Sequence, residues 1–277
     1  MFKIVDKIYL AENIIRFDIE APDTAASRKP GQFVLVIPTE DSERAPFTIM
    51  DSDTKKGTIS IIVQVIGTST NKLAALNKGD KVFAVAGPLG KPTDIENFGT
   101  VVCIGGGVGT AVMYPITKAL KKAGSKIFSI IGGRSANLLI LEKEMEEVSD
   151  KFFVTTDDGS KGFKGLVTLP LKNLLESTVK IDMVFAIGPA IMMKSVTELT
   201  RQYNVKTIVS LNSIMIDGTG MCGSCRVNVN GKVKFVCVDG PEFEGQSIDW
   251  QNLMLRQNAF KHKEKCSLDK YLEGIKK

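Results

Sequence analysis

Asp217, Cys222, Cys225 and Cys237 stand in the spacing Asp-x4-Cys-x2-Cys-x11-Cys. Plant-type 2Fe–2S clusters are held by C-x4-C-x2-C followed by a distant fourth cysteine. Such a cluster needs a tight loop that turns thiolates inward and backbone N–H groups toward the sulfides. Gly218, Gly220 and Gly223 suit that loop. Asp217 takes the first ligand position, where a carboxylate oxygen is a harder donor than thiolate but still ligates iron. Other readings compete. Zinc could use the three cysteines with a fourth ligand, yet the single histidine, His262, lies 25 residues beyond Cys237. The cysteines could be plain buried residues, or Cys266 could stand in for Asp217. The spacing favours a 2Fe–2S cluster with Asp217 as fourth ligand.

A second constellation is Gly105-Gly106-Gly107-Val108-Gly109-Thr110, between the apolar run Val101–Ile104 and a helical stretch. Glycines let the backbone approach a pyrophosphate, whose charge the following helix N-terminus stabilises. A glycine-rich loop also serves tight helix–strand packing, and its strand–loop–helix context is what favours a nucleotide. The next strand ends in Gly132-Gly133-Arg134-Ser135, without an acidic residue for a ribose 2′-OH. On its own, Arg134 leans toward a 2′-phosphate and hence NADP. Asp157-Asp158, at another strand end before Gly159-Ser160, resembles a paired-carboxylate site but reads better as a loop.

A third is Arg44-Ala45-Pro46-Phe47-Thr48, followed by Gly67-Thr68-Ser69-Thr70. An arginine can neutralise a pyrophosphate, a hydroxyl can hydrogen-bond a flavin ring, and small residues offer free amides to phosphates. Taken alone, these are also a strand start and a turn. His262 sits in Lys261-His262-Lys263-Glu264-Lys265 and reads as a solvated residue. No arrangement for nucleophilic catalysis is present, and no residue is assigned as catalytic.

These residues need three kinds of scaffold. Positions 1–96 carry short strand patterns, among them Phe33–Ile37 and the alternating Thr58–Ile66, punctuated by turns. That pattern predicts a β-barrel or sandwich. From 97 to 209, apolar runs alternate with helical stretches at Thr110–Ala123, Leu138–Val148 and Ile191–Tyr203, which predicts a parallel, doubly wound sheet. Residues 210–277 form a small cysteine-bearing module with a hairpin turning at Asn230-Gly231 and a polar, partly helical tail from Trp250.

Composition agrees. The chain has 277 residues, 43% hydrophobic and 24% charged, a globular balance that excludes disorder. A surplus of +5, from 36 Lys+Arg against 31 Asp+Glu, is spread along the chain, and aromatics are 7%, so nucleic acid is not indicated. The longest apolar stretch, Val101–Ile116, is broken by glycines and too short for a membrane span. Asp6 and Lys7 interrupt the apolar core of a signal peptide, and five cysteines make an odd count. A cytoplasmic protein is expected.

Together the three modules resemble the ferredoxin–NADP reductase superfamily over nearly the whole chain. Within that superfamily the chain looks like the electron-transfer subunit of dihydroorotate dehydrogenase. Within it the chain is similar to the sulfide dehydrogenase small subunit, or the small subunit of NADH-dependent ferredoxin–NADP oxidoreductase. The residues that carry this are Arg44–Thr48, Gly67–Thr70, Gly105–Thr110, Ala186-Ile187-Gly188-Pro189 and Asp217 through Cys237. The superfamily pattern is Arg-x-aromatic-Ser/Thr; here the arginine stands one residue earlier and Pro46 intervenes. The dihydroorotate branch carries four cysteines, so Asp217 points to the bifurcating ferredoxin–NADP branch.

The resemblance implies FAD at Arg44, Pro46, Phe47, Thr48, Ile62, Val63, Gly67, Thr68, Ser69 and Thr70. It implies NAD(H), against the lean from Arg134, at Gly105, Gly106, Gly107, Gly109, Thr110, Arg134, Asp157, Gly188 and Pro189. It also implies a larger partner subunit with FAD and two 4Fe–4S clusters, coupling NADH, NADP and ferredoxin. The alternatives are dihydroorotate oxidation, or a zinc-stabilised or redox-sensing nucleotide-binding protein without turnover.

Overall fold

The computed structural model describes residues 1–275; the last two residues of the expected tail lie outside the described residues. The N-terminal part consists of β1 (Phe2–Ala11), β2 (Ile14–Glu20), α1 (Pro22–Ser27), β3 (Phe33–Ile37), β4 (Ala45–Thr48), β5 (Asp51–Asp53), β6 (Thr58–Gln64), α2 (Thr68–Ala75), β7 (Lys81–Val82) and β8 (Ala84–Leu89). Antiparallel sheets of order β5-β6-β2-β1-β7 and β4-β3-β8 make the barrel. Period-2 alternation explains which side chains fill it. Ile15, Phe17 and Ile19 of β2 and Ile59, Ile61 and Val63 of β6 form its core with Val34, Val36 and Ile49. Their outward neighbours differ in fate. Arg16 bonds Asp18 at 2.8 Å, while Ile14 and Ile62 face a second core beneath the next module.

That next module alternates β9 (Thr100–Gly106), α3 (Gly109–Lys122), β10 (Lys126–Gly133), α4 (Glu142–Glu147), β11 (Lys151–Thr156), β12 (Phe163–Lys164), α5 (Thr168–Leu175), β13 (Met183–Ile187), α6 (Ala190–Gln202) and β14 (Lys206–Ser210). Its strands lie in the order β12-β11-β10-β9-β13-β14, all parallel, so the chain reverses direction across the sheet beside β9. Ligands of such sheets bind at that switch point, outside the carboxyl ends of the strands. Helix α4 is shorter than the expected Leu138–Val148. Leu139, Ile140 and Leu141 are buried against the sheet before the helix starts, and Leu141 has a left-handed backbone (φ 56°).

The C-terminal module has β15 (Arg226–Val229), β16 (Lys232–Phe235), α7 (Val236–Asp239), β17 (Glu242–Glu244), α8 (Trp250–Asn258) and α9 (Lys261–Ile275). β15 and β16 are the expected hairpin, with φ of 49° at Asn230 and 71° at Gly231. Both are positive, as a turn matching the strand twist requires. Strand β17 extends the nucleotide-type sheet by pairing antiparallel with β14, although it follows position 210. One core also joins all three parts: Phe33 and Leu35, Val102 and Ile104, and Cys225, Cys237, Trp250 and Leu253. Each large apolar side chain so buried contributes about 1.5–3 kcal/mol. Among the described residues no helix is long and apolar enough to cross a membrane.

Candidate redox site

The loop from Asp217 to Cys225 turns through three glycines of positive φ: Gly218 (73°), Gly220 (86°) and Gly223 (66°). Gly218 has a further reason. A Cβ there would stand 2.6 Å from Leu35 Cδ1 and 3.2 Å from Leu89 Cδ1, so the loop lies directly on β3 and β8 of the barrel. The expected donors fall into two pairs. The Asp217 carboxylate accepts the Cys222 N–H at 2.8 Å and the Thr219 N–H at 2.9 Å. The Cys225 and Cys237 sulfurs are 3.2 Å apart and buried.

The charges follow from these contacts. The Thr219 N–H, then that of Cys222, holds the Asp217 carboxyl below the usual range, and Arg44 of the barrel acts in the same direction. The Ser224 hydroxyl, 3.1 Å from the Cys222 sulfur, lowers that exposed thiol. Burial, with Cys225 beside it, pushes Cys237 up to about 12 without a metal. Thiolates bind metal only when deprotonated, so a cation must supply what burial removes.

All five cysteines are free. Among the described residues no three His, Cys, Asp or Glu side chains converge on one ion-sized point, as a four-ligand zinc would require. Two donors on each of two irons is the arrangement a binuclear cluster uses, and two thiolates on one tetrahedral metal lie about 3.8 Å apart. The Cys225–Cys237 pair fits that demand with a small opening. His262 and Cys266 belong elsewhere. They pair with each other at 3.8 Å (Nδ1 to Sγ) on α9.

At the sheet's switch point, β9 ends in Gly105-Gly106 and β13 is followed by Gly188 and then Pro189, the N-cap of α6. Space is short everywhere but at one position. A Cβ on Gly109 would overlap the Ile187 carbonyl, one on Gly188 would sit 3.1 Å from Gly106 Cα, and one on Gly105 would sit 2.8 Å from Thr110 Cα. Gly107, at φ 55°, has open space where its Cβ would be. Gly105, Gly109 and Gly188 therefore let strand and helix close up, and Gly107 faces the free volume. Met192 was not marked by the sequence. Its thioether occupies the crevice between Gly106 and Gly188. Arg134 and Asp157 are exposed in adjoining loops, where the Asp157 N–H bonds Gly133 O at 3.1 Å. Asp158 is a turn residue, taking the Ser160 N–H at 2.9 Å.

The barrel candidates divide similarly. Phe47 and Thr48 are half-buried on β4, Thr48 opposite Phe33, while Arg44 and Pro46 are exposed. Val63 points into the barrel core, leaving only its backbone for a ligand, whereas Ile62 points the other way. Gly67 caps α2. The Thr70 hydroxyl accepts the Ile66 and Gly67 N–H groups at 3.1 and 2.9 Å, so it shapes the turn, and Thr68 and Ser69 beside it are half-buried. Arg256, also unmarked by the sequence, donates to Ser224 O at 2.9 Å and pins the cysteine loop from α8.

A barrel, a switch-point crevice and a cysteine loop seated on the barrel define a flavin iron–sulfur oxidoreductase of the ferredoxin–NADP reductase type. Comparison with known proteins agrees. Residues 1–93 match an oxidoreductase FAD-binding domain, and residues 212–249 match the iron–sulfur cluster binding domain of dihydroorotate dehydrogenase B. The chain is 45% identical over 271 residues to a dihydroorotate dehydrogenase B (NAD(+)) electron transfer subunit homolog of Thermotoga maritima, covering 98% of this chain and 95% of that one. A probable subunit of the same kind from Methanopyrus kandleri is 34% identical, covering 82% and 84%. Among solved structures, a chain of the NADH-dependent reduced ferredoxin-NADP oxidoreductase superposes with a TM-score of 0.93 at 44% identity, covering 98% of each chain. The protein belongs to the family of dihydroorotate dehydrogenase B electron transfer subunits and their homologs.

Proposed function

We propose that this chain oxidises NADH and hands single electrons to a larger partner subunit of a ferredoxin–NADP oxidoreductase that bifurcates electrons. The observation that carries the reading is the seat of the Asp217–Cys225 loop on β3 and β8, with Gly218 against Leu35 and Leu89. Strand β4, with its flavin candidates, pairs with that same β3. Bound FAD supplies the exchange between a hydride and single electrons, and a 2Fe–2S cluster supplies one-electron transfer.

The chain's own residues supply position and charge. Gly107 and the α3 N-terminus receive the nicotinamide nucleotide's pyrophosphate at the switch point, beside Gly188 and Met192. Arg44 would neutralise the FAD phosphates, and Thr48 would offer a hydroxyl to the flavin ring. Asp217, Cys222, Cys225 and Cys237 would hold the cluster's irons. Around the loop, Ile216, Met221 and Val238 are exposed apolar residues, Met221 at 89%. Such a rim suits a subunit that docks over the cluster and takes its electrons. Asp217 is what favours this branch, since the 44% identity to the ferredoxin–NADP structure is matched by 45% to the Thermotoga dihydroorotate-type homolog.

An anaerobic titration tests it. NADH added to the purified chain bleaches the flavin band and then the iron–sulfur absorption, and dihydroorotate does neither. A colourless protein containing zinc would overturn the reading. Purification from the native source should bring down a larger flavin and 4Fe–4S subunit.

A further inference from the structure

Two arginines from different elements hold the carbonyl groups between Cys222 and Cys225. Arg226, at the start of β15, donates through Nη1 to Gly223 O at 3.0 Å, and Arg256, on α8, donates through Nη2 to Ser224 O at 2.9 Å. A trans peptide points its N–H opposite to its C=O, so the two bonds turn the Ser224 and Cys225 N–H groups away from the guanidiniums. The Ser224 hydroxyl oxygen lies 3.1 Å from the Cys222 sulfur. A thiolate there can only accept, which makes Ser224 the donor. The Cys225 sulfur differs, for it takes the Cys237 N–H at 3.5 Å, a bond from the main chain. Arg256 is the better sheltered of the two arginines. It is half-buried where Arg226 is exposed, and Trp250 and Leu253 fix its helix in the core that joins the three modules.

We infer that Arg256 is a positioning residue for the cluster's reduction potential: it holds Ser224 O from α8 and so keeps the Ser224 hydroxyl on the Cys222 sulfur. The inference rests on the reading above that Cys222 ligates the cluster. Its logic is charge. Reduction adds one negative charge, and hydrogen bonds to the sulfurs are among the factors that set a cluster's potential. A hydroxyl donated to a ligand sulfur favours the more negative, reduced form and so raises the potential. The hydroxyl of a serine in a loop reaches that sulfur only while its main chain keeps one conformation. Arg256 supplies the hold, through a planar guanidinium that loses little freedom per bond formed. The potential at which electrons leave the chain is thereby tied to the seat of α8 in the shared core.

The test is an anaerobic redox titration of the full-length, cluster-loaded chain, followed by electron paramagnetic resonance, with iron content alongside. Ser224→Ala should shift the one-electron equilibrium about three- to tenfold toward the oxidised cluster, a fall of up to about 59 mV. Ser224→Thr, which keeps the hydroxyl, should restore it. Arg256→Met, which keeps an apolar stem and removes the donor, should shift the midpoint in the same direction as Ser224→Ala. The double variant should fall no further than Ser224→Ala alone, because both changes break one contact. Additive shifts would show that Arg256 acts by its own charge and would overturn the inference, as would an unchanged midpoint in Ser224→Ala. The ligand reading has a separate readout, loss of iron in Cys222→Ser. If that variant keeps its iron, the ligand reading falls and takes the inference with it. If it loses iron while Ser224→Ala titrates like the parent chain, the inference alone is wrong.

Discussion

Glu242 accepts a 2.6 Å hydrogen bond from the Thr93 hydroxyl, and a Cβ on Gly31 would overlap that hydroxyl while standing 3.0 Å from Glu242 Oε1. The barrel (Gly31), the linker (Thr93) and the strand β17 that leaves the cysteine module thus meet at one carboxyl group. Around it the Lys91 N–H bonds Gly240 O at 2.7 Å and the Leu211 N–H bonds Pro241 O at 2.9 Å.

Burial pushes Glu242 up to about 7; the Thr93 hydrogen bond opposes this and Asp94 adds to it. The sign follows from proton binding. Between about 4.5 and about 7 the folded chain holds a proton that the unfolded chain has released, so stability falls as pH rises through this window. The contribution is complete below the unfolded value and gone above the folded one. Glu242→Gln should raise the melting temperature by a few degrees at pH 8 (about 2–4 °C per kcal/mol) and change it little at pH 5. An equal shift at both pH values would show that the carboxyl does not titrate there.

The module-joining contacts were not legible in the sequence, for a physical reason. Strand β17 is three residues long, Glu-Phe-Glu, too short to show a period, and its place is set by β14, more than thirty residues upstream. The Ser267–Thr68 contact joins two polar helices, and no hydrophobic pattern marks it. Val63 and Ile62 share one chemistry, and only the pleat of β6 decides which faces the barrel. What was legible is local: the Asn230-Gly231 turn, the strand–glycine–helix passage at Gly105–Thr110, and the spacing of the cysteines, where residue type and backbone demand coincide.

The glycines of the crevice separate packing from ligand binding. Gly109→Ala should lower the melting temperature, because its Cβ meets the Ile187 carbonyl, which cannot move without breaking β13. Gly107→Ala has room, so its direct cost is the positive φ, about 1–2 kcal/mol. It should weaken NADH binding while FAD stays bound. Calorimetry with each nucleotide checks this, and loss of FAD with intact NADH binding would reverse the assignment of the two modules.

Cys222→Ser, Cys225→Ser and Cys237→Ser should each strip or badly damage the cluster. Flavin reduction by NADH should persist in all three, because the proposed relay places those residues after hydride transfer. Iron analysis and rapid-mixing absorbance give the two readouts. Unchanged iron in all three variants would remove the ligand assignment.

Asp217 gives the sharpest contrast, because the structure shows it in one capacity and a second is proposed for it. Its carboxylate caps the loop through the Thr219 and Cys222 N–H groups, and it stands at the first ligand position of the cysteine pattern. If only the cap mattered, Asp217→Asn would keep one of the two bonds, since Oδ1 and Oδ2 each accept one and an amide offers a single oxygen, and it would hold the cluster better than Asp217→Cys, which loses both. If the carboxylate ligates iron, the order inverts. Asp217→Cys should retain the cluster, because thiolate completes the plant-type set, and its reduction potential should shift, since a polarisable sulfur replaces a hard oxygen. Asp217→Asn and Asp217→Ala should both leave one iron open to water and release iron on dilution. Cys266 is the remaining candidate for a fourth ligand, and it sits on α9 beside His262. Cys266→Ser should therefore keep a stable cluster; a labile cluster in that variant, with a stable one in Asp217→Ala, would move the ligand to the C-terminal helix.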